Sequence, residues 1–193
     1  MLSNKEFFEV EHKEGQTQDN PDYLRLHYTL AEIMKNRLDC KSVFEIGPGP
    51  GALMEGLSKL GIYVEGIDQN QYSKEYFVGR NQHLADKYHW LKLSGAAEVV
   101  KATNFDTVVS IETMEHIKNS DMEKIIFLLS QRCRWFWFSS TPKKTDWDES
   151  WGHINIKYDH QWVWWFEKLG WKFVEWTKMP TEWSMLFETM NIK

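Results

Sequence analysis

Residues Val43 to Gly51 read V-F-E-I-G-P-G-P-G, and Ala52 to Leu60 continue as A-L-M-E-G-L-S-K-L. Ser42 to Gly47 is a short apolar run with the content of a buried strand, and it passes into a turn with glycine at every second position. Ala52 to Leu60 reads as a helix, with Leu53, Leu57 and Leu60 on one side and Gly61 as its stop. Strand, glycine turn and helix in that order open a parallel α/β unit.

The alternation continues outward. Ile62 to Asp68 is a second strand, Tyr72 to Tyr88 a helical stretch, His89 to Leu93 a short third strand and Phe105 to Ile111 a buried fourth. Ser120 to Leu129 is a helix opened by a Ser120/Glu123 capping box, with Met122, Ile125, Ile126 and Leu129 toward the core. Trp135 to Ser139 is a fifth strand, and Asp159 to Leu169 is a helix stopped by Gly170. Trp171 to Thr177 and Ser184 to Met190 are two last strands with no helix between them, so one is expected to run antiparallel near the C-terminal end. Upstream, Glu11 to Asn20 is polar and reads as a loop. Asn20-Pro21 starts a helix that runs to about Asp39, with Leu24, Tyr28, Ala31 and Leu38 near one face. The expected fold is α/β: a single Rossmann-like domain over residues 1–193, with a mostly parallel seven-stranded sheet and helices on both faces. Residues 1–40 form a helical lid segment, residues 41–193 the core, and about 141–158 a loop on the substrate side.

The chain has 193 residues, 42% apolar and 26% charged, with 23 Lys and Arg against 28 Asp and Glu for a net charge of −5. This suits a globular domain long enough to bury a core. No basic stripe is present to neutralise phosphates, so no nucleic-acid partner is expected. No run approaches the ~18–20 apolar residues of a membrane span. Met1 to Gly15 mixes Lys and Glu with apolar residues, unlike a secretory signal. Two cysteines, Cys40 and Cys133, fit reduced thiols in a cytoplasmic protein better than a disulfide framework. A monomer or homodimer is expected.

Glycine in the Gly47–Gly51 turn lets the backbone bend sharply and approach a ligand closely. The helix N-terminus behind it favours a carboxylate or phosphate. Asp68 ends the next strand, 17 residues after Gly51, where a carboxylate accepts both hydroxyls of a ribose. The pair reads as a nucleoside-cofactor site at the carboxyl ends of the strands. Gly47, Gly49 and Ala52 also satisfy the dinucleotide fingerprint G-x-G-x-x-A, which keeps an NAD(P)-dependent oxidoreductase as an alternative. Against it, Pro48 and Pro50 remove two N–H groups from the turn that would cradle a pyrophosphate.

These residues resemble a family. E-I-G-P-G-P-G, Glu45 to Gly51, is similar to the E-x-G-x-G-x-G motif of class I methyltransferases, which use S-adenosylmethionine. F-D-T-V-V-S-I-E-T-M-E-H-I, Phe105 to Ile117, looks like the fourth-strand signature of the same family, and the resemblance runs from about Val43 to Gly170. It implies transfer of a methyl group to a small-molecule acceptor by in-line displacement. It further implies that Glu45, Gly47, Pro48, Gly49 and Gly51 shape the pocket for the methionine part. Asp68 would bind the ribose, Gln69 would lie against the adenine, and Glu112 would line the floor near the sulfonium. The family often has an acid after the glycine of S-G-A-A-E. Here Ala96 stands in its place, leaving backbone contacts at Ala96 or Ala97. That missing acid also favours a third reading, a non-catalytic nucleoside-binding module.

On the acceptor side, His153 in W-G-H-I-N follows the fifth strand and is the preferred contact to the acceptor and candidate general base. His116 reads as a structural residue at a helix start. The segment Tyr23–Tyr28 is expected to face Trp147–Asn155 across the acceptor pocket, with Tyr28, Trp151 and His153 on the substrate. Ten of the eleven tryptophans lie between Trp135 and Trp183; most are expected in the core, and Trp147 and Trp151 with Asp146, Asp148 and Glu149 as a rim. No ligand set for a metal is read.

Overall fold

Successive side chains of a strand point to opposite faces of the sheet, and the central strands here carry buried apolar residues on both faces. Val43, Val64, Val109, Trp137 and Leu186 bury one face; Phe44, Ile67, Val108, Phe136, Phe138 and Phe187 bury the other. A sheet covered on both sides is what such strands require. The computed structural model describes residues 2–142 and 148–191. Its strands are β1 (Ser42–Ile46), β2 (Tyr63–Asp68), β3 (Tyr88–Trp90), β4 (Thr107–Ile111), β5 (Trp135–Ser139), β6 (Trp171–Trp176) and β7 (Met185–Thr189). They form one sheet in the order β3-β2-β1-β4-β5-β7-β6. The first five are parallel, and β7 runs antiparallel to both β5 and β6. This is the expected fold class, and the reversed strand lies inside the sheet rather than at its edge.

The helices are α1 (Asn4–Lys13), α2 (Pro21–Leu38), α3 (Ala52–Lys59), α4 (Gln71–Arg80), α5 (Ala96–Ala102), α6 (Asn119–Ser130), α7 (Asp148–Trp151) and α8 (Asp159–Lys168). The core cluster on one face draws on α2, α3 and α4, through Leu30, Met34, Leu53, Leu57 and Phe77. The other draws on α5, α6 and α8, through Val100, Ile126, Leu129, Trp162 and Phe166. None of the described helices is long and apolar enough to cross a membrane.

Local signals account for most helix ends. Asn20 caps α2 by accepting from Asp22 N, with Pro21 in the first turn; Gly170, at φ +91°, follows α8. Two expectations are corrected. Glu11 to Asn20 is not all loop, because α1 continues to Lys13. The Ser120/Glu123 capping box is absent: α6 begins one residue earlier, after Lys118, and the Ser120 hydroxyl bonds Asp121.

Candidate active site

The chain runs from β1 outward to β2 and β3, then returns to place β4 on the other side of β1. Open α/β sheets bind ligands at the carboxyl ends beside such a switch point. The Gly47–Gly51 turn emerges there. All three glycines have positive φ, +73° at Gly47, +51° at Gly49 and +79° at Gly51. A Cβ on Gly47 would stand 2.2 Å from Thr113 Cγ2, and one on Gly51 would stand 2.1 Å from Phe77 Cδ2. At Gly49 only Glu11 Oε1 comes near, at 3.2 Å. Gly47 and Gly51 are thus closed in by packing, while Gly49 faces a space bounded by one flexible carboxylate. Pro48 is buried, its ring against Gly66, and its carbonyl accepts from Gly51 N at 2.8 Å.

Asp68 lies beside this turn. Its Oδ2 accepts from Gly49 N at 3.1 Å and its Oδ1 from Asn70 N at 2.7 Å. The Tyr88 hydroxyl donates to Gly49 O at 2.9 Å, which ties the turn to β3. Glu45, 4% exposed, has an Oε2 without a hydrogen-bond partner among the described residues. Burial, with Asp68 nearby, pushes the Glu45 carboxyl up to about 8. Burial and Asp68 likewise push Glu11 well above the carboxylate range. Burial raises Asp68 too, against the pull of the Asn70 and Gly49 N–H groups. Three acids thus converge on one cleft, which is costly unless protons or a cation offset them.

Helix α1 closes this cleft from above. Asn4 Nδ2 donates to Gln69 O at 2.8 Å, and Asn70 Nδ2 returns a bond to Asn4 O at 3.0 Å. Gln69 itself is exposed, its carbonyl also taken by Trp90 Nε1 at 3.0 Å. Ala96 is fully buried in the core at the start of α5, so its methyl faces away from solvent, while Ala97 is half-buried.

Tyr28 is corrected. Its hydroxyl accepts from Lys59 Nζ at 2.7 Å, and its ring packs on Gly56. Lys59 ends α3, at the amino-end side of the sheet, so Tyr28 is turned away from the carboxyl ends. Of the segment Tyr23–Tyr28, Tyr23 lies close enough to Glu11 and Glu45 that, after burial, these two acids raise its phenol further. The element that faces residues 148–155 is α1, through Phe7, with ring centroids 5.0 Å from His116 and 6.1 Å from Trp151. Trp147 and Asp146 lie outside the described residues, as does the side chain of Glu149.

A second cluster stands at the end of β4. Glu112, at φ +45°, accepts from Ser139 Oγ at 2.7 Å, Thr141 Oγ1 at 3.1 Å and Trp183 Nε1 at 2.9 Å. Its carboxylate is thereby held in place by β5 and the chain leading to β7. Glu115 follows in a tight turn, 1% exposed. Its carbonyl accepts from Ile154 N at 2.8 Å and Asn155 N at 2.9 Å, so residues 153–155 are stitched against residues 114–117. His153 sits in this seam. Its Nδ1 lies 2.6 Å from Asp148 Oδ1, with both side chains buried. Its ring is 4.8 Å from that of His116. Burial, then His153, pulls the His116 imidazole down to about 4, so it is neutral at pH 7. On the outer side of residues 154–157 a cleft of about 700 Å³ is lined by Lys157, Trp164 and Trp165, but by none of the expected cofactor residues.

Sequence reasoning brought together Glu45, the glycine turn and Asp68, and named Glu112 and His153 one by one. It missed Phe7, Glu11 and Glu115, and it placed Asp148 on a rim rather than against His153. A signal for α1 was available: Ser3-Asn4-Lys5-Glu6 is a capping box, and both of its hydrogen bonds form.

Sheet order and the place of the glycine turn define a Rossmann-like protein. Residues 17–175 match the family described as "Methyltransferase domain". The chain belongs to that family, whose cofactor is S-adenosylmethionine, and the match does not favour the oxidoreductase alternative. Among curated proteins it is similar to a ubiquinone biosynthesis O-methyltransferase of Nitrosococcus oceani, 31% identical over 98 residues. That stretch is 50% of this chain and 38% of the relative, so the match spans less than half the relative's length. Among solved structures it resembles an S-adenosylmethionine-dependent methyltransferase of Clostridium acetobutylicum, with TM-score 0.66 and 8% identity over 94% of this chain and 98% of that one. It also resembles magnesium protoporphyrin IX methyltransferase of Synechocystis with bound S-adenosylhomocysteine, with TM-score 0.64 and 15% identity over 86% and 82%. At such identities the likeness is one of fold.

Proposed function

We propose that this chain is an S-adenosylmethionine-dependent methyltransferase acting on a small hydroxyl-bearing molecule in the cytoplasm, as a monomer or homodimer. The observation that carries it is the buried acid cleft at the switch point, with Glu45, Asp68 and Glu11 around a turn that presents no side chain. The cleft fits the cofactor's chemistry. Glu45 Oε2 is an unpaired acceptor that suits an ammonium group, and each Asp68 oxygen keeps a lone pair for a ribose hydroxyl after its backbone bond.

Bound S-adenosylmethionine supplies an electrophilic methyl carbon and a good leaving group. The protein's work is then alignment, which is worth ~7–11 kcal/mol when complete. In this reading the turn and Glu45 hold the methionine part, Asp68 the ribose, and Gln69, Ala96 and Ala97 the adenine side through backbone or surface contacts. Residues 2–20 act as a lid whose α1 excludes water. Glu112 fixes the floor, and His153 and Trp151 stand on the acceptor side. An oxygen acceptor is supported by the name of the Nitrosococcus relative and by the acid and imidazole groups at the end of β4. Titration with S-adenosylmethionine, S-adenosylhomocysteine and NAD, followed by turnover on a panel of hydroxylated metabolites, tests the proposal. Binding of NAD alone would overturn it, and cofactor binding with no turnover on any acceptor would leave the non-catalytic module.

The raised Glu45 carboxyl makes cofactor affinity depend on pH. With Glu45 near 8, the cleft holds a proton at pH 7 that a cationic ligand must displace. Affinity is expected to rise with pH by up to ~tenfold per unit below about 8 and to level off above it. For stability of the ligand-free protein the sign is opposite. An acid raised on folding stabilises the ligand-free protein at low pH and loses that contribution as pH rises from about 4.5 to about 8. Calorimetric titration in buffers of different ionisation enthalpy checks this: proton release should accompany binding at pH 7, and Glu45→Gln should reduce it.

A further inference from the structure

We propose that Glu115, His116 and His153 form a binding site for one divalent transition-metal ion, at the end of β4 on the acceptor side of the cleft. One ligand atom from each of the three lies within 4.8 Å of the others. Ligands on an ion at ~2.0–2.2 Å stand ~3–4 Å apart, so closing on it takes side-chain shifts of about an ångström.

Two further observations point to a ligand here. Glu115 is 1% exposed, yet neither carboxylate oxygen has a hydrogen-bond partner among the described residues. A buried carboxyl with both oxygens unanswered is costly, and a cation answers both the charge and the lone pairs. The second is the arrangement behind His153. Asp148 Oδ1 lies 2.6 Å from its Nδ1, and a carboxylate there favours the tautomer with its proton on Nδ1 and the Nε2 lone pair available to an ion. Carboxylate–histidine pairs of this kind orient histidines that ligate metals.

The donor set decides the class of ion. Two imidazoles and one carboxylate suit Zn²⁺, Mn²⁺, Fe²⁺ or Co²⁺ rather than Mg²⁺ or Ca²⁺, which prefer all-oxygen shells. Three protein ligands leave at least one position open, as in metal sites that take a water or a substrate oxygen. Phe7 of α1 packs on His116, so the lid and the site are in contact. In this arrangement His153 Nε2 is a ligand and not a proton acceptor, which replaces the general-base role expected of it.

The inference stands apart from the methyltransferase reading, because the ion is titrated with neither cofactor nor acceptor present. The full chain, stripped with a chelator and desalted, is titrated with Co²⁺ alone and followed by its visible ligand-field bands, with Zn²⁺ competition by calorimetry. One ion per chain is expected. Glu115→Gln, His116→Ala and His153→Ala should each weaken it at least ~100-fold, and Asp148→Asn by ~10–100-fold. His83→Ala, at an exposed site away from the cluster, should change nothing. Glu115→Gln keeps the side-chain shape, and a melting curve without metal confirms that it folds. Absence of stoichiometric binding to the parent overturns the proposal. So does binding that survives loss of both His116 and His153, or a His153→Ala variant that loses turnover with its Co²⁺ affinity intact.

Discussion

Gly49→Val is expected to give a folded protein whose melting temperature no longer responds to S-adenosylhomocysteine. The three glycines of the turn differ in what surrounds them. A side chain at Gly47 or Gly51 collides with Thr113 or Phe77 at 2.2 or 2.1 Å, deep in packed structure. At Gly49 the nearest atom is Glu11 Oε1 at 3.2 Å, the far end of a flexible side chain. Valine there meets strain from the positive φ, ~1–3 kcal/mol, and fills the cleft between the turn and α1. The parent, at ligand ~100 times its dissociation constant, should gain ~2.7 kcal/mol, which for a chain of this size is about 5–10 °C. The variant should gain nothing measurable. Gly47→Val and Gly51→Val serve as contrasts and should lower the melting temperature without ligand. A full ligand-induced shift in folded Gly49→Val would remove the turn from the binding site.

The central strands were legible because they carry apolar residues on both faces and are bounded by turn residues: β1 by Gly47, β5 by the serines after Phe138. Helix α8 was legible for a related reason, its Trp162, Phe166 and Leu169 lying on one side ahead of Gly170. Trp164, about 200° around the helix from Trp162 at 100° per residue, is 57% exposed and carries Lys168 over its ring. Helix α2 was found from its cap, but its buried stripe is His27, Leu30, Ala31 and Met34, which leaves Tyr28 at the margin. A histidine counted as polar hid that rotation, and with it the fate of Tyr28. Helix α1 was obscured by composition. Glu9, Glu11, His12, Lys13 and Glu14 look like a solvated stretch, yet Glu11 is buried because the cleft it caps is itself polar. Chemistry whose partners are far apart in the chain was the least legible. Glu115 and His153 are 38 positions apart, and they are brought together by hydrogen bonds from Ile154 N and Asn155 N to the Glu115 carbonyl and from Asn155 Nδ2 to the Met114 and Ile117 carbonyls.

Asp68→Ala should weaken S-adenosylmethionine binding by about 2–4 kcal/mol, or roughly 30- to 1,000-fold, through loss of two charge-assisted hydrogen bonds to the ribose. The carboxylate has two tasks, and the measurement must separate them. It accepts from Gly49 N and Asn70 N, so alanine also leaves two backbone donors unanswered and loosens the turn. That part alone would lower the affinity of any ligand using the turn. The ribose part is isolated by a 2′-deoxy analogue of S-adenosylhomocysteine. Parent protein should bind the analogue more weakly than S-adenosylhomocysteine itself, because one Asp68 oxygen loses its hydroxyl donor. Asp68→Ala should bind the two ligands equally, each weakly. Asp68→Asn keeps one accepting oxygen and places an amide against a backbone N–H, so it should fall between parent and alanine in affinity and retain part of the discrimination. If Asp68→Ala still prefers the full ribose by the parent's factor, the carboxylate holds the turn alone, and the ribose is bound by another group.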